Sequence, residues 1–493
     1  MKIVYLFFGL LLFVNAHSQE APYRIWEYEY GDEENHQWGQ SVVQTSDGSY
    51  LVLFLDDNWE SESDSNYGLI KLSAAGDEIW VKTFGGSDND YPVKILKTQA
   101  GNYLLLGHSR SNDGDVGHNY GDFDIWIAMI NENGTVIWEK NYGGSLAENA
   151  ADIVEHPNGG FMVLGWTYSN NGDVSGNKGF SDIWMFRISE TGDFVWGKTY
   201  GGSSVDFGNS LVQANDGGWL ISGATLSIDG DISNPLGNLD VWIVRTNSVG
   251  ELLWEKSIGD GEYNYNYGTI ADHPQSGGYF IFGETPNFDS NELHGFLAKV
   301  DDEGNLVMQS DSEKIITNMA LADYPNYIWS SLIDSGMGGN FPINILQLEE
   351  VDSDLETVWN YEIGDYGWPV LSFYLYDLFR TNDNKIAVTG STGLDFYSKV
   401  WVGLISPGQM STNDFENLTV SVYPNPAADF VYLNSNDTVR KVNVYDSGGK
   451  LVIQKEFDSK KLIKLDIRHL VPGNYFVLVQ TENEINKISL LVK

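Results

Sequence analysis

The body of the chain alternates apolar and polar residues in short runs broken by polar turns. Between residues 210 and 258 the runs are SLVQA, GGWLISGAT, DVWIVRT and ELLWEKSI, with NDGG and NSVG between some of them. Period-two alternation bounded by Gly, Asn, Asp and Ser predicts half-buried β-strands. Four such strands make one unit, and the unit returns. Trp80, Trp138, Trp196 and Trp254 stand 58 residues apart in IWVKTFGG, IWEKNYGG, VWGKTYGG and LWEKSIGD. A fixed period of this length with four strands per copy predicts the blade of a β-propeller.

Looser copies carry the series outward, through Trp26 in IWEYEYGD, Met308 where a tryptophan is expected, and Trp359 in VWNYEIGD. Seven outer strands result, each followed by a three-strand set, the seventh being LSFYLYDLF, KIAVTGST and KVWVGLIS. That last set has no outer strand after it, and the strand around Trp26 has no set before it. Residues 23–30 are therefore expected to complete the last blade, removing the two free sheet edges of an open array. The fold expected is all-β, a seven-bladed β-propeller over 19–405 followed by a small C-terminal antiparallel β-sandwich. The degenerate unit at about 310–362 leaves six or eight blades open. GDEIWVKTFG, ENGTVIWEKNYG and ETGDFVWGKTYG resemble the tryptophan-docking repeats of quinoprotein-like propellers, in which a glycine turn precedes a tryptophan that packs between blades. The resemblance implies inter-blade packing for these tryptophans and covers repeats, not a cofactor site.

Residues 406–418, SPGQMSTNDFENL, lose the strand pattern and read as a linker. Beyond it, strand-like runs are separated by NP, SGGK, VPGN and TENE turns, with Pro424 and Pro426 restricting the chain and Gly448-Gly449 suited to a hairpin that needs positive φ. VYPNPAADFVYL, VNVYDSGGKLV, LDIRHLVPGNYFVLVQ and KISLLVK occur in this order over 419–493. They resemble the type A C-terminal sorting domain of the type IX secretion system, the Por secretion family. The resemblance implies a Bacteroidota-type route through the periplasm and across the outer membrane, with the type IX machinery as partner and the cell surface or the medium as destination. In that family the domain is commonly cleaved.

The N-terminus fits such a route. Lys2, the apolar run Ile3–Val14 and small residues at Ala16 and Ser18 have the layout of a secretory signal peptide, taken as 1–18. No later segment approaches the roughly 20 apolar residues of a membrane helix. The chain has no cysteine, which excludes disulfides and thiolate metal sites, so stability must come from core burial. Its net charge of −41 is unevenly spread: 419–493 hold 10 Lys or Arg against 8 Asp or Glu, leaving 18 against 61 for the rest. A body so acidic repels phosphate backbones and is not expected to bind nucleic acid. A monomer is expected.

Catalytic signatures are absent from the sequence. The eight histidines are scattered, and no HExxH, nucleophile elbow or phosphate loop occurs. His156 in EHPNGG and His273 in DHPQSGG occupy equivalent hairpins and read as turn residues. Carboxylates are too abundant to single out an acid/base pair, so an extracellular carbohydrate-active enzyme, glycosidase or lyase, stands as the alternative to a binding or scaffold protein. An enzyme needs convergent, unrepeated polar residues, whereas a scaffold repeats one residue type around the ring.

Repetition is what the loops show. SNDGDVGHNYGDFDIW, SNNGDVSGNKGFSDIW and SIDGDISNPLGNLDVW align without gaps at 111, 169 and 227. They carry Asp113 and Asp115, Asn171 and Asp173, Asp229 and Asp231, with Asp124, Asp182 and Asp240 before the following strand and a second series, Asp90, Glu148 and Asp206, after the GGS turns. Oxygen pairs flanking a glycine suit a Ca²⁺ cage, and the second series is expected near the central channel, where like charges would favour cation capture. The same residues also suit a plain turn, with the Asp before each strand capping loop amides, and the spacing and terminal Glu of an EF-hand are missing. Aromatics at Trp59, Tyr120, Phe180 and in EYNYNYG (262–268) are usable for binding an extracellular glycan or peptide.

Overall fold

The computed structural model describes residues 22–31, 36–57, 65–259, 265–271, 276–287, 292–312, 314–322, 325–334, 344–363, 372–394, 397–407, 420–423, 430–446, 450–481 and 485–492. The expected signal peptide, linker residues 408–418, Trp59, His273, Pro424, Pro426 and Gly448-Gly449 lie outside them. Every element among the described residues is a β-strand. They fall into two compact units, within 22–407 and 408–493.

The first unit holds seven four-stranded antiparallel sheets. Six are contiguous in sequence, running 36–84, 90–142, 148–200, 206–258, 265–312 and 315–363. In the seventh, Ser372–Arg380, Ile386–Leu394 and Tyr397–Ser406 are joined by the N-terminal strand Tyr23–Tyr30, in register from Tyr23 against Ser406 to Tyr30 against Val400. One first strand begins earlier than the alternation predicts. In the fourth sheet the strand spans Asp206–Gln213, because a bulge between Gly208 and Ser210 breaks the period of two and hides its first half.

The two middle strands of a sheet are apolar throughout because both faces are covered. Phe161–Thr167 and Asp182–Ile188 are buried almost without interruption, whereas the outer strand Phe194–Tyr200 is half exposed. The third sheet packs on the second through Ile153, Val163, Trp184 and Phe186 against Leu104, Leu106, Ile125 and Ile127. Its other face meets the fourth through Leu164, Ile183 and Met185 against Leu211, Ile221 and Trp242. The same arrangement joins the seventh sheet to the first, with Ala387, Val400, Val402 and Leu404 against Val42, Val52 and Ile70.

Neighbouring sheets are also docked at the rim. Five outer-strand tryptophans, Trp26, Trp80, Trp138, Trp196 and Trp254, lie on the turn before the next sheet's outer strand, whose glycine has positive φ. A Cβ added at Gly192, Gly250 or Gly304 would come within 2.9, 2.8 or 2.7 Å of Trp138, Trp196 or Trp254. Trp26 of the seventh sheet takes the same place over Gly76 of the first, 2.7 Å by that measure, and its indole donates to the Ala74 carbonyl at 3.2 Å, as Trp138 donates to Glu190. Between the fifth and sixth sheets the pair is replaced by Met308 and Leu355, the latter at φ 64°. A second set of indoles, Trp126, Trp242 and Trp401, is anchored within the sheets by Glu139, Glu255 and Glu27.

The second unit is one hydrogen-bonded five-stranded sheet, not the two sheets of the expected sandwich. The strands Phe430–Asp446 and Leu451–Asp466 form a long hairpin whose register shifts between Asn434 and Val439. Val420–Tyr423 pairs with the first half of Phe430–Asp446, and Gly473–Thr481 pairs with its second half. Both halves contribute to one core of Val431, Leu433, Val442, Ile463, Val477 and Leu490. Two long strands spanning both halves do the work of separate sheets.

Trp26→Ala is expected to destabilise the first unit by about 2–3 kcal/mol, somewhat less than the ~3–5 kcal/mol of a fully buried tryptophan. Deleting residues 22–30 should cost more and promote aggregation, since it strips the seventh sheet of its outer strand. Urea denaturation of both variants checks this, and an unchanged midpoint would mean that the N-terminal strand is dispensable.

Candidate functional site

The loops after each second strand and the connections from one sheet to the next emerge at the same end of the strands, which follows from the up-and-down order. On this face the three aligned loops close over the Gly-Gly-Ser turns. Glycine is required at their apex: Gly114, Gly172 and Gly230 have φ of 67°, 67° and 72°, and a Cβ on any of them would stand 2.4 Å from the carbonyl of Gly85, Gly143 or Gly201.

The loop oxygens all meet backbone amides. Asp115 Oδ2 accepts from Gly85 N at 3.4 Å, Asp90 Oδ2 from Gly86 N at 2.7 Å, Asp113 Oδ1 from Ser87 N at 2.7 Å, and Ser111 Oγ from Asp88 N at 3.0 Å. In the next copy Asp173, Glu148, Asn171 and Ser169 accept from Gly143, Gly144, Ser145 and Leu146. In the third, Asp231, Asp206, Asp229 and Ser227 accept from Gly201, Gly202, Ser203 and Ser204. Four successive N–H groups form a concavity that attracts anions, and here the chain fills it with its own carboxylates. Leaving such donors unmet would cost roughly 1–3 kcal/mol each.

The six oxygens aligned as candidate Ca²⁺ ligands thus sit on the turns, and among the described residues no three Asp, Glu or His side chains gather as metal ligands do. Asp124, Asp182 and Asp240 accept from Tyr120, Lys178 and Leu236 amides at 2.5, 2.9 and 2.8 Å. The second series, Asp90, Glu148 and Asp206, is wholly buried at the starts of first strands. Glu148 also accepts from Thr167 Oγ1 at 2.6 Å, and Asp206 from Ser227 Oγ at 2.8 Å.

These acids meet in pairs across the glycine that joins two sheets. A Cβ on Gly143 would lie 2.2 Å from Asp124 Oδ1 and 2.5 Å from Glu148 Oε2; at Gly201 the same holds for Asp182 and Asp206, at 2.6 and 2.5 Å. Burial, reinforced by Glu148 and Asp173, pushes Asp124 up to about 7 against the pull of the Tyr120 amide. Burial likewise raises Asp182 to about 6, although the Lys178 amide and ammonium pull it down. Asp182 Oδ1 has no hydrogen-bond partner.

The sequence did not single out a polar network on the first strands. The residue after each bulge is polar in most sheets, and Asp152 there binds Lys94 of the second sheet and the Leu211 amide of the fourth at 2.8 Å. Asp377 of the seventh accepts from Ser41 Oγ at 2.7 Å and Val42 N at 3.0 Å of the first. The bulge displaces these residues from the alternation, so no periodic signal marks them. His156 is buried against Trp219 and accepts from Asn158 N at 3.0 Å, and burial lowers its pKa. Tyr120 and Phe180 are exposed on the loop face.

Residues 421–493 match the secretion system C-terminal sorting domain, and this type IX domain directs the chain to the cell surface or to secretion. No curated protein matches the chain. Among solved structures, a protein of unknown function from Bacteroides caccae is similar at TM-score 0.37 and 10% identity, over 62% of this chain and 92% of that one. The WD40 domain of Neurospora crassa Pan2 gives 0.41 and 10%, over 77% and 98%. Sqt1 from Chaetomium thermophilum gives 0.42 and 9%, over 78% and 98%. Among the described residues no helix is long and apolar enough to cross a membrane.

A carboxyl whose pKa is raised on folding stabilises the fold while it holds its proton. The contribution of Asp124 is complete below its unfolded value of 3.8 and is lost as pH rises through about 7. Stability should therefore fall between pH 5 and pH 8, and Asp124→Asn should flatten that fall by about 1–2 kcal/mol. Melting curves of both proteins across this range test it; parallel pH profiles would show that Asp124 does not titrate there.

Proposed function

We propose that the first unit is a closed seven-bladed propeller that acts outside the cell as a binding or scaffold module, with the clamped loop face as its working surface. The observation that carries this reading is recurrence. The oxygens that the sequence marks as chemically active make the same bonds to the same turn amides in three successive sheets, as a framework does. Closure is supported by the core shared between the seventh and first sheets and by Trp26 over Gly76. The domain plan follows: signal peptide 1–18, propeller 19–405, linker 406–418 and sorting domain 419–493, with the mature body monomeric. In this reading Ca²⁺ is an accessory ligand of Asp113, Asp115, Asn171, Asp173, Asp229 and Asp231, stiffening loops that the amides already hold.

The deciding experiment is a glycan and peptide binding screen run beside a glycosidase and lyase substrate panel, each in millimolar Ca²⁺ and in chelator. Binding without turnover is expected. Turnover of any substrate in the panel would replace the module with a carbohydrate-active enzyme, and identical melting and binding with and without Ca²⁺ would remove the metal.

Removal of residues 419–493 should leave the first unit folded and retained in the periplasm. Cell fractionation checks this, and normal surface levels of the truncated chain would contradict the role given to the tail.

A further inference from the structure

The four most exposed large apolar side chains of the loop face are Tyr120, Leu146, Phe180 and Ile228, at 50, 53, 66 and 71%, ahead of Leu226 and Leu236 at 39 and 40%. The repeat does not demand the last three of the four. The positions equivalent to Leu146 hold Asp88 and Ser204, those equivalent to Phe180 hold Asp122 and Asn238, and those equivalent to Ile228 hold Asn112 and Asn170. Three sheets thus depart from their own pattern on one face, each by placing an apolar residue where its copies are polar.

The departures adjoin. The loop at Gly121, beside Tyr120, abuts Ser145, beside Leu146. Tyr168 N donates to Ala147 O at 2.9 Å, and the Tyr168 ring meets Phe180 edge-on at 5.4 Å. Phe180 N donates to Ser204 O at 3.1 Å, and Ser204 N to Ser227 Oγ at 2.9 Å, next to Ile228. Exposed apolar residues on adjoining turns and loops of three sheets thus form a stripe, with the exposed Asp113, Asp115 and Asp229 on the same loops and Asp122 paired with Arg110 at 3.1 Å. Over the turns and loops of these sheets, Asp88, Asp113, Asp115, Asp122, Asp173, Asp229 and Asp231 face only Arg110 and Lys178 as cations.

We propose that this stripe docks a cationic amphipathic polypeptide segment, whose aliphatic or aromatic side chains cover Leu146, Phe180 and Ile228 while its Lys or Arg residues reach the flanking carboxylates. The inference rests on the loop face being the binding surface and names its partner. Contiguous exposed apolar surface marks an interaction site, and a negative rim steers and selects positive partners. A neutral glycan would gain nothing from that field, and an anionic membrane would be repelled by it.

The test uses full-length protein and a labelled peptide of about twelve residues of Lys, Leu and Phe, followed by fluorescence anisotropy at low salt and at about 0.5 M NaCl. Binding should weaken at least roughly tenfold at high salt. It should weaken by a similar factor in the double variant Phe180→Ser, Ile228→Ser, which alters only exposed side chains. Leu253→Ser, on an exposed outer strand, should leave affinity unchanged. Equal affinity in wild type and the double variant would overturn the proposal, because net charge alone would then explain the attraction. Binding of a neutral oligosaccharide but not of the peptide would also overturn it while leaving the loop face as the binding surface. Absence of any peptide binding overturns it as well, and the broader screen then decides the face.

Discussion

Every sheet of the body is apolar on both faces, and the rest of the structure follows from that constraint. A sheet such as 148–200, with its middle strands buried on both sides, must be flanked twice. Each neighbour added to cover one face brings another face that needs covering, so a linear stack always ends in exposed core. The first and seventh sheets share a core, with Val42, Val52 and Ile70 against Ala387, Val400 and Val402, as this requirement asks. The rim tryptophans then fix how sheets align, because an indole seated over a glycine of positive φ tolerates little sliding.

With the sheets fixed, the polar chemistry of the loop face becomes a matter of satisfying amides. At three junctions a Gly-Gly-Ser-x turn points successive N–H groups at the overlying side chains. Side chains from the next first strand and from the overlying loop supply the oxygens. The acids are close together for this reason, and burial together with Glu148 and Asp173 raises the pKa of Asp124. The first sheet has Asn66 at the position of Asp124, beside Gly85, so a neutral side chain fills the same place there.

The repeat itself was legible because strand alternation and the tryptophan spacing are periodic, and packing between identical units conserves what it needs at fixed distances. The sorting domain was legible from its ordered motifs. The start of the fourth sheet's first strand was not, because a bulge resets the alternation; equivalent bulges displace Lys94, Asp152 and Asp377. In the tail, turn residues announced strands but could not say that two of them run through both halves of one sheet. At the loops, the residue types in S-x-D-G-D fit a cation cage as well as a clamp. What separates the two is the partner of each oxygen, and those partners, Gly85 to Asp88, lie more than 20 residues away in sequence, where no local pattern points.

The clamp also bears on how long such a surface endures outside the cell. An endoprotease binds its substrate as an extended strand, pairing with the main-chain N–H and C=O groups on either side of the scissile bond. Exposed loop tips are ordinarily where that happens. In these loops the turn amides from Gly85 to Asp88, Gly143 to Leu146 and Gly201 to Ser204 are already bonded, and their apex glycines are held in a left-handed conformation no extended strand shares. To be cut, a loop must first surrender several hydrogen bonds at once. Loops that face solvent are therefore expected to be cut only after local opening.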